Sequence, residues 1–331
     1  MLKWSPSRGP DVLPFAHRAV ELDPNSAIIL GNLADTYLRL GDFENAARYY
    51  EQTIAAHPDF VLGYAGYSNV LSDRGDKVGA IEAQRKAAEL DPDSVGEAAE
   101  LAFLYIIIGA FAEAEAVYRS MQERFTGHEI TGATGLAIAL AKGEEPDTRA
   151  VITAGLENDI SSSGAVYLGY TALLGGEFEL ALDAFERAPG DLLATRKITP
   201  EFLDLWTGTL CELSWVLLET EGNEEFGREL LDKSIELYES GFHEDARHAE
   251  RFNWNLCYLL AGDTGKALDV LELELDNNAT DLWPLLLRTP LYDAVRKDPR
   301  FVAMTSEFER RRAAQRDALR RKDKAKPGFE F

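Results

Sequence analysis

Cysteine is scarce: Cys211 and Cys257 are the two in a chain of 331 residues. They stand far apart and form no metal or redox motif. Both lie in apolar helical stretches, which predicts buried free thiols rather than a disulfide. Positive charge is also in deficit. Against 57 Asp and Glu stand 34 Lys and Arg, a net charge of −23. Such a balance argues against non-specific binding to nucleic acid or to anionic lipid. Long apolar runs are missing as well. No stretch reaches the roughly 18 residues of a membrane span, and residues 1–10 hold no apolar run of signal-peptide type. Neither nucleic acid nor membrane is therefore expected as a partner. A cytoplasmic location is the default that follows, and the same residues are compatible with a periplasmic one.

Catalytic signatures are equally sparse. The five histidines, His17, His57, His128, His243 and His248, form no zinc-protease pattern. His243 and His248 lie near Glu244, Asp245 and Glu250, but a spacing of five does not share a helix face. There is no phosphate loop with lysine, no dinucleotide fingerprint and no nucleophile elbow. The glycine-rich stretch from Thr131 to Leu136 lacks a lysine and reads as close helix packing. Paired carboxylates such as Glu144–Glu145 and Glu224–Glu225 sit where helices start and the dipole favours them. No enzyme, cofactor or metal is expected. With 46% hydrophobic residues the chain is nonetheless expected to fold.

What the chain does have is a period. Pro24, Pro58 and Pro92 recur every 34 residues, and so do Gly41, Gly75 and Gly109. Ala34, Ser68 and Ala102 supply a small residue at the same phase, flanked by Leu33, Tyr37, Tyr67 and Tyr105. Small residues let two helices approach, and large ones fill the space beside them. Glycine ends the first helix and proline ends the second. This pattern resembles the tetratricopeptide repeat, a helix pair of that length. The resemblance implies an all-α, right-handed superhelical solenoid of antiparallel helix pairs, with atypical capping helices at the C-terminus. Such an array also explains a length beyond the usual single core, because each unit contacts only its neighbours.

Units are expected near 27–60, 61–94 and 95–128, a degenerate unit at 129–161 and a further one at 162–191. The array as a whole spans 11–191 and opens on a partial unit, after an irregular segment at 1–10. A connector follows at 191–199. Divergent helix pairs and a cap occupy 200–303, and a basic helix with a loose tail occupies 304–331. Between Arg310 and Lys326 nine basic residues face two acidic ones, a local charge of +7. A solvated capping helix, a nucleic-acid contact and a contact with the chain's own acidic surface all fit that run. Trp283 to Leu287, Pro290 to Arg296 and Asp298 to Phe301 resemble the closing segment of the tetratricopeptide halves of some bacterial adenylate-cyclase-like and transcription-regulator proteins. That implies a sensory half of a larger protein as an alternative, without cyclase chemistry. An enzyme subunit is a weaker alternative.

In the repeat family the first helix of each pair lines a concave surface. The resemblance therefore places Phe103, Ile106, Ile107, Ala137, Leu140, Val166, Tyr167, Tyr170 and Leu173 along one apolar stripe. An open stripe of this kind suits a peptide or helix of a protein partner. Closure by the C-terminal helices, or by a second copy in a homodimer, is the other reading. Gly31, Asp35, Gly66, Gly96 and Glu100 stand where chaperone-binding members carry a clamp for a carboxylate tail, so that role is not expected.

Overall fold

The computed structural model describes residues 9–157, 160–188, 196–199, 202, 206, 209–242 and 253–325. Among these every regular element is helical. The first eleven are α1 (Gly9–Leu22), α2 (Ala27–Arg39), α3 (Phe43–Ala56), α4 (Val61–Asp73), α5 (Lys77–Leu90), α6 (Val95–Ile108), α7 (Phe111–Arg124), α8 (Glu129–Lys142), α9 (Thr148–Leu156), α10 (Ser162–Leu174) and α11 (Phe178–Arg187). There follow α12 (Leu210–Glu219), α13 (Glu224–Leu237), α14 (Trp254–Leu260), α15 (Thr264–Asp276), α16 (Trp283–Leu286), a 3-10 turn at Pro290–Ala294 and α17 (Pro299–Ala325). Helix α1 starts inside the segment expected to be irregular. Most of the 191–199 connector, His243, His248 and the tail beyond residue 325 lie outside the described residues.

The period has a mechanical basis. Asp42 and Asp76 cap α3 and α5, accepting from the backbone N–H of Asn45 at 3.1 Å and Gly79 at 2.9 Å. The glycine just before each cap turns the chain with φ of 68° at Gly41 and 83° at Gly75, a conformation a side chain would strain. Ala34, Ser68 and Ala102 are buried at the helix crossings, as the pattern requires. The result is a solenoid of antiparallel pairs with α2, α4, α6, α8 and α10 as the first helices of successive units.

Gly66 shows how tight a crossing is. A Cβ built there would lie 2.3 Å from the ring of Tyr50, whose own side chain is buried. Gly66→Val is therefore expected to cost about 1–3 kcal/mol by overpacking. Urea denaturation measures it, and an unchanged midpoint would mean that the Tyr50 ring yields freely.

The core has three clusters. One lies around Ala34, Tyr50 and Val70, and one around Ile81, Tyr105 and Met121. The third is the largest and runs from Ala133 to Phe308. Leu285 and Leu319, from the C-terminal segment, belong to the middle cluster. The end of the chain thus packs back onto units more than 150 residues earlier.

The expectation of free thiols is overturned. Cys211 in α12 and Cys257 in α14 form a disulfide, with Cα atoms 5.0 Å apart. Both residues are buried, at 3% and 1% exposed. Packing of α12 against α14 aligns side chains that 46 residues of sequence separate.

Candidate functional site

Helices α6, α8 and α10 pack side by side, so the nine stripe residues are neighbours. Three of them are withdrawn from the surface. Ile106, Ile107 and Leu173 are 1%, 3% and 1% exposed, and this part of the expected groove is corrected to core. Phe103, Ala137, Leu140, Val166, Tyr167 and Tyr170 are half-buried against the same clusters. Tyr170 meets the ring of Phe185 edge-on at 5.8 Å. The Tyr167 hydroxyl donates to the Glu100 carboxylate, and burial raises the pKa of both groups.

The α6 end of the stripe is covered by the chain itself. Leu285 of α16 joins Ile106, Ile107 and Ile130 in one cluster. Asp281 pairs with Lys77, which also donates to Ser72 Oγ at 2.9 Å. Arg312 of α17 donates to the carbonyls of Ile107 (Nε, 2.7 Å) and Ile106 (Nη2, 3.0 Å). Arg316 donates to Ile108 O at 2.9 Å, and Gln315 to Gly75 O at 3.0 Å. The arginines satisfy the Ile107 and Ile108 carbonyls at the end of α6 and put positive charge where the helix dipole is negative. Farther along, Lys322 binds Glu82 at 2.6 Å, and Asp323 receives Arg85 at 2.6 and 3.0 Å. Of the three readings of the basic run, contact with the chain's own surface is the one these bonds realise.

Helices α2 and α4 differ. Ile28 and Leu62 occupy equivalent positions one period apart, and each is 63% exposed. Asn32, Arg39 and Asn69 are exposed on the same two helices. On α1, Phe15 and Leu22 are 73% and 71% exposed.

A polar core that gave no signal in sequence lies in the C-terminal half. Asn253 Nδ2 donates to Glu212 at 2.7 Å. Glu274 accepts from Asn255 Nδ2 at 2.7 Å and from Trp283 Nε1 at 2.9 Å, and Tyr292 donates to Asn255 Oδ1 at 2.5 Å. Burial raises the carboxyl pKa to about 7 for Glu212 and about 8 for Glu274. Both are sealed from solvent, so they bear on stability rather than on turnover.

The remaining histidines have local structural duties. His17 bonds the Tyr37 hydroxyl at 2.7 Å, His57 bonds Asn25 O at 2.6 Å, and His128 caps α8. Gly132 and Gly135 lie inside α8 against Val151 and Tyr118, where close packing needs them. Among the described residues, no group of three metal-ligating side chains forms, and no helix is long and apolar enough to cross a membrane.

Residues 32–95 match the profile of the tetratricopeptide repeat. A curated relative, small glutamine-rich tetratricopeptide repeat-containing protein 2 of Mycosarcoma maydis, is 30% identical over 77 residues. That match covers 23% of this chain and 22% of the relative. Among solved structures, the Cut9–Hcn1 hetero-tetramer of APC/C is similar over 73% of this chain and 46% of its own, at 16% identity and TM-score 0.46. Yeast Tom70 is similar over 86% and 69%, at 15% identity and TM-score 0.30. This chain therefore spans less than half of the first of these structures and about a fifth of the curated relative.

Proposed function

We propose that this chain, which carries tetratricopeptide repeats, is a non-catalytic scaffold that binds a peptide or helix of another protein on the inner face of its first units. The observation that carries this reading is the pair Ile28 and Leu62. They are large, apolar and exposed at equivalent positions of adjacent first helices. Exposed asparagines beside them can hydrogen-bond a peptide backbone. The Ile106 and Ile107 part of the apolar stripe is the seat of the chain's own C-terminal segment, so a partner meets α2 and α4 first. The alternative, a sensory half of a larger signalling protein, rests on the closing segment from Trp283 to Phe301. Trp283, Tyr292 and Phe301 are all buried, so packing alone accounts for that sequence.

The test is capture of partners from source lysate, read by mass spectrometry, with wild type beside an Ile28→Glu/Leu62→Glu variant. Both positions are exposed, so the variant is expected to keep its circular dichroism spectrum and melting temperature. Loss of partners by the folded variant is the expected result. An identical set of partners on both would place the binding surface elsewhere.

A further inference from the structure

We propose that the edge of the array made by α4, α5 and α6 is a helix-receiving site. In the resting chain α17 occupies it, and a basic partner helix carrying the same side-chain pattern takes its place. The proposal rests on the scaffold reading and names its partner class.

The pattern is read from the contacts. Arg312, Gln315, Arg316, Leu319, Lys322 and Asp323 follow one another at i, i+3, i+4, i+7, i+10 and i+11, which is a single face of a helix. Each has a defined receiver. The two arginines take the carbonyls of Ile106, Ile107 and Ile108. The glutamine takes the carbonyl of Gly75, the lysine takes Glu82, and the aspartate takes Arg85. Leu319, 1% exposed, enters the middle core cluster. The site thus reads charge, spacing and one apolar anchor, which is how an amphipathic helix is recognised in a groove.

Two observations set this half of α17 apart as the one to be released. Its hold is unequal along its length. Phe301, Met304 and Phe308 bury the first half in the C-terminal core, and Trp283 packs on Phe308 at 5.2 Å. Between Phe308 and Ala325, Leu319 is the sole large apolar side chain, and the rest of the hold is hydrogen bonds and ion pairs, including that of Arg311 to Leu275 O. Attachments of that kind have a replacement in water or in a competing helix, whereas a buried aromatic has none. The seam also opens to solvent. A cleft of about 450 Å³ runs along it, lined by Asp76, Val78, Gln315, Ala318, Arg321 and Lys322. The first half of α17 is therefore an anchor and the second half a releasable arm.

The test uses the full chain and a fluorescein-labelled peptide with the sequence of residues 308–325, followed by fluorescence anisotropy. Against wild type the peptide competes with the resident arm and binds weakly. An Arg312→Ala/Arg316→Ala chain, whose arm is loosened, is expected to bind it at least tenfold tighter. A scrambled peptide of the same composition controls for plain attraction to an acidic chain, and is expected to lose that gain. Equal binding of both peptides, or no gain in a variant of unchanged helix content, overturns the proposal. If the variant fails to fold, hydrogen–deuterium exchange of the wild type decides. Residues 312–325 should exchange at least tenfold faster than 301–308, and equal protection sinks the idea. These readouts need no cellular partner. Failure here is thus separable from failure of the scaffold reading, which the Ile28 and Leu62 variant judges on a different face.

Discussion

In urea the chain is expected to be several kcal/mol more stable at pH 5 than at pH 9, and Glu274 is the main reason. Its carboxyl titrates near 8 in the fold and Glu212 near 7, against an ordinary value of 4.5. Both folded values are raised, so the unfolded chain releases these protons first as pH climbs. The stability they carry is complete below pH 4.5 and is lost as pH rises through 7 and 8. A shift of one unit is worth about 1.4 kcal/mol, so two shifts of this size reach several kcal/mol even if coupling between the two groups removes half. Glu100 and Glu97 are raised as well and add in the same direction. Glu307, held down to about 2 by Arg310 and Arg311, titrates below the window. Repulsion within an acidic chain also grows with pH, so the variant is the informative measurement. Glu274→Gln keeps the shape, removes the proton, and loses one acceptor for Asn255 or Trp283. It is expected to be less stable than wild type at pH 5 by about 1–3 kcal/mol and to show a flatter profile up to pH 9. Parallel profiles for the two proteins would show that Glu274 does not titrate in this range.

Opening the Cys211–Cys257 bond is the other large effect. Closing a loop of 46 residues removes entropy from the unfolded chain worth about 4 kcal/mol. The bond also ties α12 to α14 beside the buried acids. Unfolding in urea with and without a phosphine reductant, after refolding under each condition, is expected to separate the midpoints by that amount. A Cys211→Ala/Cys257→Ala chain should behave like the reduced protein and ignore the reductant. Coincident midpoints for the untreated and reduced wild type would show that the bond does not form in solution. Disulfides persist in oxidising compartments, so the same measurement bears on where the chain works.

Sequence reading reached the repeats because they are local. Gly41, Gly75 and Gly109 mark turns whose backbone bonds close within one unit, and Ala34, Ser68 and Ala102 mark buried crossings within the repeat. The stripe was legible as apolar but not as closed. Ile106 and Ile107 look the same whether a groove or a core awaits them. What decides the matter is Leu285 and Arg312, which arrive about 180 and 205 residues later. The disulfide stayed hidden for that reason too. Glu274 was invisible for another: in Leu-Glu-Leu-Glu-Leu-Asp it alternates like a surface residue, and only the donors Asn255 and Trp283 single it out. The exposed pair Ile28 and Leu62 lay on the expected concave face, yet its accessibility depends on how far α16 and α17 reach along the array.

In a helical-repeat array each unit touches only its neighbours, so a whole unit can be added or removed without disturbing the rest. Here the turns at Gly75, Gly109 and Gly143 are each covered by a side chain from the far end of the molecule: Asn278, Arg312 with Arg316, and Arg288. These three contacts act as a ruler laid across three consecutive units. A unit duplicated between α4 and α9 would carry Gly143 one step out of reach of Arg288, and a deletion would crowd it. The number of repeats in this stretch is consequently held fixed by a segment that is not itself a repeat, while units added ahead of α2 would leave every mark on the ruler in place.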